Sequence, residues 1–162
     1  MFKTKSNNKL RAAMLIAATG LSAAYSANSS AADVFMRTTS ASTTLSDSGS
    51  PITILSVTIP AGTWVVTAKT NPVNFGQADY VRCRILVGTT QKDAGATLLG
   101  NAAPGPTGEM GPSVAQIYLT TAITTVSSKL IKLDCQHDFP TPGIYVDPGA
   151  RLMVVKAPGP LG

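Results

Sequence analysis

Tyr80-Val81-Arg82-Cys83-Arg84-Ile85-Leu86-Val87 alternates apolar and charged side chains with a period of two, and Leu130-Ile131-Lys132-Leu133-Asp134-Cys135 does the same. In a β-strand successive side chains point to opposite faces. The first stretch therefore sets Val81, Cys83, Ile85 and Val87 on one face, against Arg82 and Arg84 on the other. The second groups Ile131, Leu133 and Cys135 against Lys132 and Asp134. Each cysteine shares the apolar face, so both sulfurs are expected to point inward. They are the only cysteines of the 162-residue chain. In an oxidising compartment a Cys83–Cys135 disulfide is the expected state. A bridge enclosing roughly fifty residues stabilises by about 4 kcal/mol through the restriction it places on the unfolded chain. No Cys-x-x-Cys is present and no further ligand stands at metal spacing, which speaks against a redox or zinc role for the pair.

The same period continues outward from these two stretches. Ile52 and Ile54 share a face, while Leu55, Val57 and Ile59 have the other parity, so a β-bulge near Leu55 is expected to reconcile them. Pro60-Ala61-Gly62 reads as a turn. Thr63 to Lys69 sets Trp64, Val66 and Ala68 against Thr63, Val65, Thr67 and Lys69, and Asn71-Pro72 ends that run. Between Lys92 and Ser113 lies the least structured segment, whose centre at about 100–113 is dominated by Gly and Pro and reads as a long loop. Its three Gly triplets from Gly105 are too few for a collagen helix. Strands resume at Val114 to Thr121, where Ala115, Ile117 and Leu119 oppose Gln116, Tyr118 and Thr120, and continue through Ile123 to Val126. Lys129 to Phe139 carries the second cysteine. Ile144-Tyr145-Val146, a tight turn at Asp147-Pro148-Gly149, and a last strand from Arg151 to Lys156 complete the count, with a frayed tail from Ala157. Some eight strands and no helical periodicity after Val34 predict an all-β, single-domain, two-sheet β-sandwich over residues 33–162, of jelly-roll type.

Residues 1–32 read differently. Lys3, Lys5, Lys9 and Arg11 precede an apolar run from Ala12 to Ala24, the layout of a helical secretory signal peptide. Small residues permit cleavage after Ser26 or after Ala32, with Ala32 preferred. The run is shorter and less apolar than the roughly 20 residues of a membrane span, and no cysteine offers a lipid attachment point. A soluble product is expected, secreted or periplasmic, with no stable membrane insertion after cleavage. Removing the leader also removes four of the thirteen basic residues and none of the eight acids, leaving nine against eight. The net charge of +5 is thus largely a targeting signal. The remaining cations are scattered between Arg37 and Lys156, and no nucleic-acid partner is expected.

Little in the domain points to chemistry. His137, the only histidine, stands in Asp134-Cys135-Gln136-His137-Asp138-Phe139. A hydrolase would use it as a base toward a serine, yet there is no Gly-x-Ser-x-Gly elbow, and Asp138 has the opposite strand parity. Asp134, Asp138 and Asp147 with backbone carbonyls are the most a calcium site could draw on. Glu109 is the only glutamate, so nothing recommends a carboxylate pair. No enzyme, catalytic residue, metal or cofactor is expected. Possible ligand contacts are Trp64, Tyr80, Tyr118, Tyr145 and His137. The aromatics would serve a glycan only if clustered on one exposed face, and the parity of Trp64 favours the core.

Pro-Ala-Gly-Thr-Trp-Val-Val at 60–66 and Tyr-Val-Asp-Pro-Gly-Ala-Arg-Leu-Met-Val-Val at 145–155 resemble the jelly-roll heads of the C1q and tumour-necrosis-factor-like group over roughly Ile52 to Lys156. The Cys-Gln-His-Asp-Phe pattern also resembles small secreted bacterial β-sandwich proteins. The C1q-like resemblance implies trimeric binding heads, although this chain lacks a collagenous stalk. The expectation is a secreted, non-enzymatic structural or protein-interaction sandwich, acting as a homo-oligomer or on an extracellular protein. The alternative is a carbohydrate- or small-ligand-binding module, and a hydrolase using His137 comes last.

Overall fold

Thr, Val and Ile at alternating positions favour the pleated, half-buried surface of a sheet, and every regular element found is a strand. A computed structural model describes residues 33–101, 112–140 and 142–159. The expected leader at residues 1–32, the centre of the Gly/Pro loop and the end of the tail lie outside the described residues. Eight strands are long: β1 (Val34–Thr38), β3 (Ile52–Ile59), β4 (Gly62–Thr70), β6 (Asp79–Val87), β7 (Thr90–Leu99), β8 (Ile117–Thr125), β9 (Lys129–His137) and β11 (Arg151–Lys156). Three have two residues each: β2 (Thr43–Thr44), β5 (Pro72–Val73) and β10 (Tyr145–Val146).

The long strands form two antiparallel sheets, in the orders β1-β11-β4-β8 and β3-β9-β6-β7. Among these eight the first pairs with the last, the second with the seventh, the third with the sixth and the fourth with the fifth. That nesting is the pairing of a jelly roll. It also sorts the connections. The turns β3–β4, β6–β7 and β8–β9 are short and share one end, whereas the four long connections gather at the other. There β2, β10 and β5 make a third small sheet. Backbone bonds from Thr39 to Ala150, Asp147 to Asn71, Asn74 to Ser113 and Asn101 to Gly76 tie the long connections together.

The core is what the alternation places between the sheets. Trp64 and Val66 of β4, Leu152 and Val154 of β11, and Ile131 and Leu133 of β9 are all fully buried. Trp64 Nε1 donates to the Pro60 carbonyl at 3.2 Å, so the one polar atom of the ring is satisfied, and Phe35 meets the ring edge-on at 5.5 Å. The bulge expected near Leu55 is present: register shifts between Thr53 and Leu55, Ile54 is the extra residue, and both sets of apolar side chains reach the core. Cys83 and Cys135 are directly opposed on β6 and β9 with Cα atoms 4.1 Å apart, and they form the disulfide. The bridge joins neighbouring strands of one sheet and does not span the sandwich.

One expectation is corrected. The segment Lys92–Ser113 is not uniformly a loop, because Thr90–Leu99 is the edge strand β7. Its solvated position leaves no apolar alternation to read, and pairing with β6 holds it in place. β1 was likewise invisible as a separate strand. The run expected from Val114 through Val126 holds the single strand β8, Ile117–Thr125, in which Ile117, Leu119 and Ile123 face inward without a break. The eight long strands are therefore not the eight segments that periodicity marks.

Candidate functional site

His137 and Asp79 make up the most enclosed polar group of the domain. The Cys83–Cys135 register places His137 opposite Val81, with Asp79 one inward position further along β6. His137 is 1 % exposed and Asp79 equally buried. His137 Nδ1 lies 3.0 Å from Asp79 Oδ2, and the same carboxylate accepts the backbone N–H groups of Asp138 and Phe139. Asp79 thereby stitches the start of β6 to the chain as it leaves β9. His137 Nε2 has no hydrogen-bond partner among the described residues. A hydrolytic base needs a hydroxyl in reach and an open path to substrate, and this ring has neither among the described residues. The aspartate that meets His137 comes from a neighbouring strand and not from the adjacent Asp138, whose carboxylate turns outward to Arg82.

Arg82 Nε and Nη2 donate to Asp138 Oδ1 and Oδ2 at 2.7 and 2.6 Å. The hydrogen bonds from the guanidinium hold the Asp138 carboxyl below its ordinary value, against a partial burial that pushes it up. Asp134 accepts a bond from Thr53 Oγ1 at 2.7 Å and stands 3.6 Å from Lys132. Asp134 and Asp138 are thus engaged with other groups, and among the described residues no three acids, histidines or cysteines converge at metal spacing.

The aromatic candidates do not cluster. Trp64 lies in the core. Tyr80 is half-buried on the outer face of the β3-β9-β6-β7 sheet, beneath the Arg82 guanidinium at 5.6 Å. Tyr145 is half-buried in the small end sheet. Tyr118 stands on the outer face of the other sheet and is 67 % exposed.

That second outer face differs in kind from the first. On β3-β9-β6-β7 the outward side chains include Thr53, Thr58, Lys132, Gln136, Arg82 and Arg84, a mostly polar and charged surface on which Leu130 is the one large exposed aliphatic side chain among the described strands. On β1-β11-β4-β8, cross-strand register builds three successive rows: Val34–Val155–Val65–Ala122, Met36–Met153–Thr67–Thr120, and Thr38–Arg151–Lys69–Tyr118. Val34, Met36, Val65 and Tyr118 are exposed. The face grades from aliphatic at the short-turn end to basic and aromatic at the long-loop end, where a groove of about 330 Å³ opens between the last two rows. Sequence parity placed Val65, Thr67, Lys69, Tyr118 and Thr120 outward, whereas Val34, Met36 and Thr38 lie on β1, which no sequence pattern marked. Their alignment into rows follows only from the strand order β1-β11-β4-β8, which no local pattern encodes.

No family model matches the sequence, and no curated protein does. Among solved structures, infectious bursal disease virus of the Gt strain aligns with a TM-score of 0.50 at 16 % identity over 82 % of this chain and 35 % of that one. The Gx strain aligns at 0.49 and 19 % identity over 80 % and 34 %, and the VP2 subviral particle of the same virus at 0.47 and 15 % over 78 % and 33 %. The chain spans about a third of the length of the viral chains it matches. At such identities the likeness is one of fold alone.

Proposed function

We propose that this is an exported, non-enzymatic contact module that works through the outer face of the β1-β11-β4-β8 sheet. The observation that carries the reading is the contrast between the two outer faces: one mostly polar and charged with an isolated exposed Leu130, the other carrying aligned rows of exposed Val, Met and Tyr side chains. Contiguous exposed apolar surface on a soluble domain marks a surface meant to be covered. The enclosed Asp79–His137 pair supports contact over catalysis, since its geometry serves to join strands. Export is part of the proposal: residues 1–32 act as a leader cleaved after Ser26 or Ala32, delivering the chain to the periplasm or beyond, where the disulfide is stable. The covering surface belongs to an extracellular protein or to further copies of the chain, a trimer being the form that the C1q-like resemblance implies. A second reading, a glycan-binding module, lacks the aromatic cluster and rests instead on the single exposed ring of Tyr118 beside Lys69 and Arg151.

The test is intact mass and light scattering on the protein recovered from the exporting compartment. The expected product begins at Ala27 or Asp33, is two hydrogens lighter than its reduced form, and travels in an assembly larger than one chain. Met36→Lys combined with Val65→Lys should release it to monomer mass without changing its melting temperature, because both side chains already project to solvent. A wild-type protein that is monomeric where it accumulates would overturn the contact reading, and a full-length product would overturn the leader.

A further inference from the structure

Arg151 of β11 and Lys69 of β4 are register partners, two cations side by side on one sheet face. Like charges directly opposite on neighbouring strands destabilise a sheet, and no other two cations face each other in this way across the described strands. Three other cations are paired with acids, Arg82 with Asp138, Lys132 with Asp134 and Lys156 with Asp33, and Arg37, Arg84, Lys92 and Lys129, though without an ion pair among the described residues, face no second cation in register. Neither Lys69 nor Arg151 has an ion-pair partner among the described residues. The row continues to Tyr118, which is Lys69's register partner on β8. Lys69 Nζ lies 6.0 Å from the Tyr118 ring centroid, and the Tyr118 hydroxyl donates to Gln116 Oε1 at 2.6 Å, which steadies the exposed ring. Met153, Thr67 and Thr120 complete the wall of the groove.

We infer that this groove binds an acidic saccharide, a sugar ring that carries a carboxylate or a sulfate. The inference rests on the second, glycan-binding reading above and names the ligand class at the basic end of that face. An arginine fork and an adjacent ammonium suit a planar or tetrahedral anion, and filling the site relieves the repulsion between them. An exposed aromatic ring on one side of the groove and a methionine on the other offer apolar surface, the ring being the body on which the carbon–hydrogen face of a sugar stacks. A groove of about 330 Å³ lies at the small end of ligand sites, the scale of a sugar unit or two and well short of a folded partner. The anion is shared chemistry, and whether a uronate or a sulfate ester supplies it is for the probes to decide.

Calorimetric titration of the purified protein with oligogalacturonate, with a dextran sulfate oligomer and with neutral dextran of equal length tests the assignment. The expected result is binding of one or both acidic oligomers and none of the neutral one, weakening as salt rises. Arg151→Gln and Lys69→Gln should each weaken binding by about tenfold or more, the scale of one lost charge-assisted contact. Tyr118→Ala should weaken it while Tyr118→Phe preserves it, because the ring and not the hydroxyl makes the stack. All four are surface substitutions, and unchanged melting temperatures would verify that the fold is intact. Equal binding of neutral dextran, indifference to both cation substitutions, or no binding of any oligomer at about 10 mM would each overturn the inference. So would tighter binding of oligo-aspartate, which would make the occupant an acidic peptide. If the larger assembly persists in any of these cases, only the saccharide falls, because the contact reading depends on the Met36 and Val65 rows.

Discussion

At the scale of single residues, two polar contacts close the end where β9 runs out, and they differ in how water reaches them. Asp79 and His137 are sealed, whereas the Arg82–Asp138 pair is partly exposed and worth correspondingly less. The bidentate geometry places it at the upper end for a surface pair, about 1 kcal/mol. Because the Asp138 carboxyl is held below its ordinary value in the folded chain, its contribution is present above the usual carboxylate range and fades as pH falls below about 4. Asp138→Asn should therefore lower the urea midpoint near neutrality, with the gap narrowing as pH falls below the usual carboxylate range and wild type loses the charge as well. A gap that persisted into acid would assign the effect to packing. The inward direction of His137 was legible from the parity of Cys135, and the outward turn of Asp138 from the same rule. Asp79 as partner was not, because its reach to His137 depends on knowing that β6 and β9 are neighbours in a given register, and the two residues are 58 positions apart.

At the scale of elements, what the sequence concealed were the strands that bury least. β7 reads Thr90-Gln91-Lys92-Asp93-Ala94-Gly95-Ala96-Thr97-Leu98-Leu99, and an edge strand of this composition is what a protein uses to blunt a free edge. Asp93 goes further: its Oδ2 accepts the Thr120 backbone N–H at 2.7 Å, shielding a donor on the edge of the opposite sheet. Where β7 ends, Gly100 adopts φ +126°, and a Cβ there would fall 2.6 Å from the Ala78 Cα. The backbones of the β5–β6 and β7–β8 connections meet at this point with no room for a side chain. Gly100→Ala should cost about 2–4 kcal/mol in denaturant unfolding, through strain and displacement together. Gly88 in the β6–β7 turn, at φ +61° with open space around it, provides the contrast: Gly88→Ala should cost only about 1 kcal/mol. Equal costs would show that the close approach at Ala78 relaxes freely. Neither glycine stood out in the sequence from the chain's other glycines, since the demand on Gly100 comes from a neighbour in space.

At the scale of the whole molecule, the jelly roll joins its first strand to its last and its second to its seventh, so most of its pairings close long loops. Such topologies pay chain entropy before contacts return it and are slow to fold. The Cys83–Cys135 bridge acts on that cost. It fixes the register of β6 against β9 across 52 positions of sequence, the segment that contains the edge strand β7, the Gly/Pro connection and β8. Restricting the unfolded chain to that closure is worth about 4 kcal/mol, a large share of the roughly 5–15 kcal/mol that separates a folded domain from its unfolded chain. Replacing both cysteines with alanine removes the closure and leaves only a small void. The double variant should show a urea midpoint reduced by an amount equivalent to about 3–4 kcal/mol, an unchanged or slightly larger denaturant slope as its unfolded chain expands, and slower refolding. A midpoint equal to that of the oxidised protein would mean that the strand pairs alone already restrict the unfolded chain as far as the bridge does. The outer-face rows would then depend on the sheet for their alignment and owe nothing to the compartment in which the protein folds.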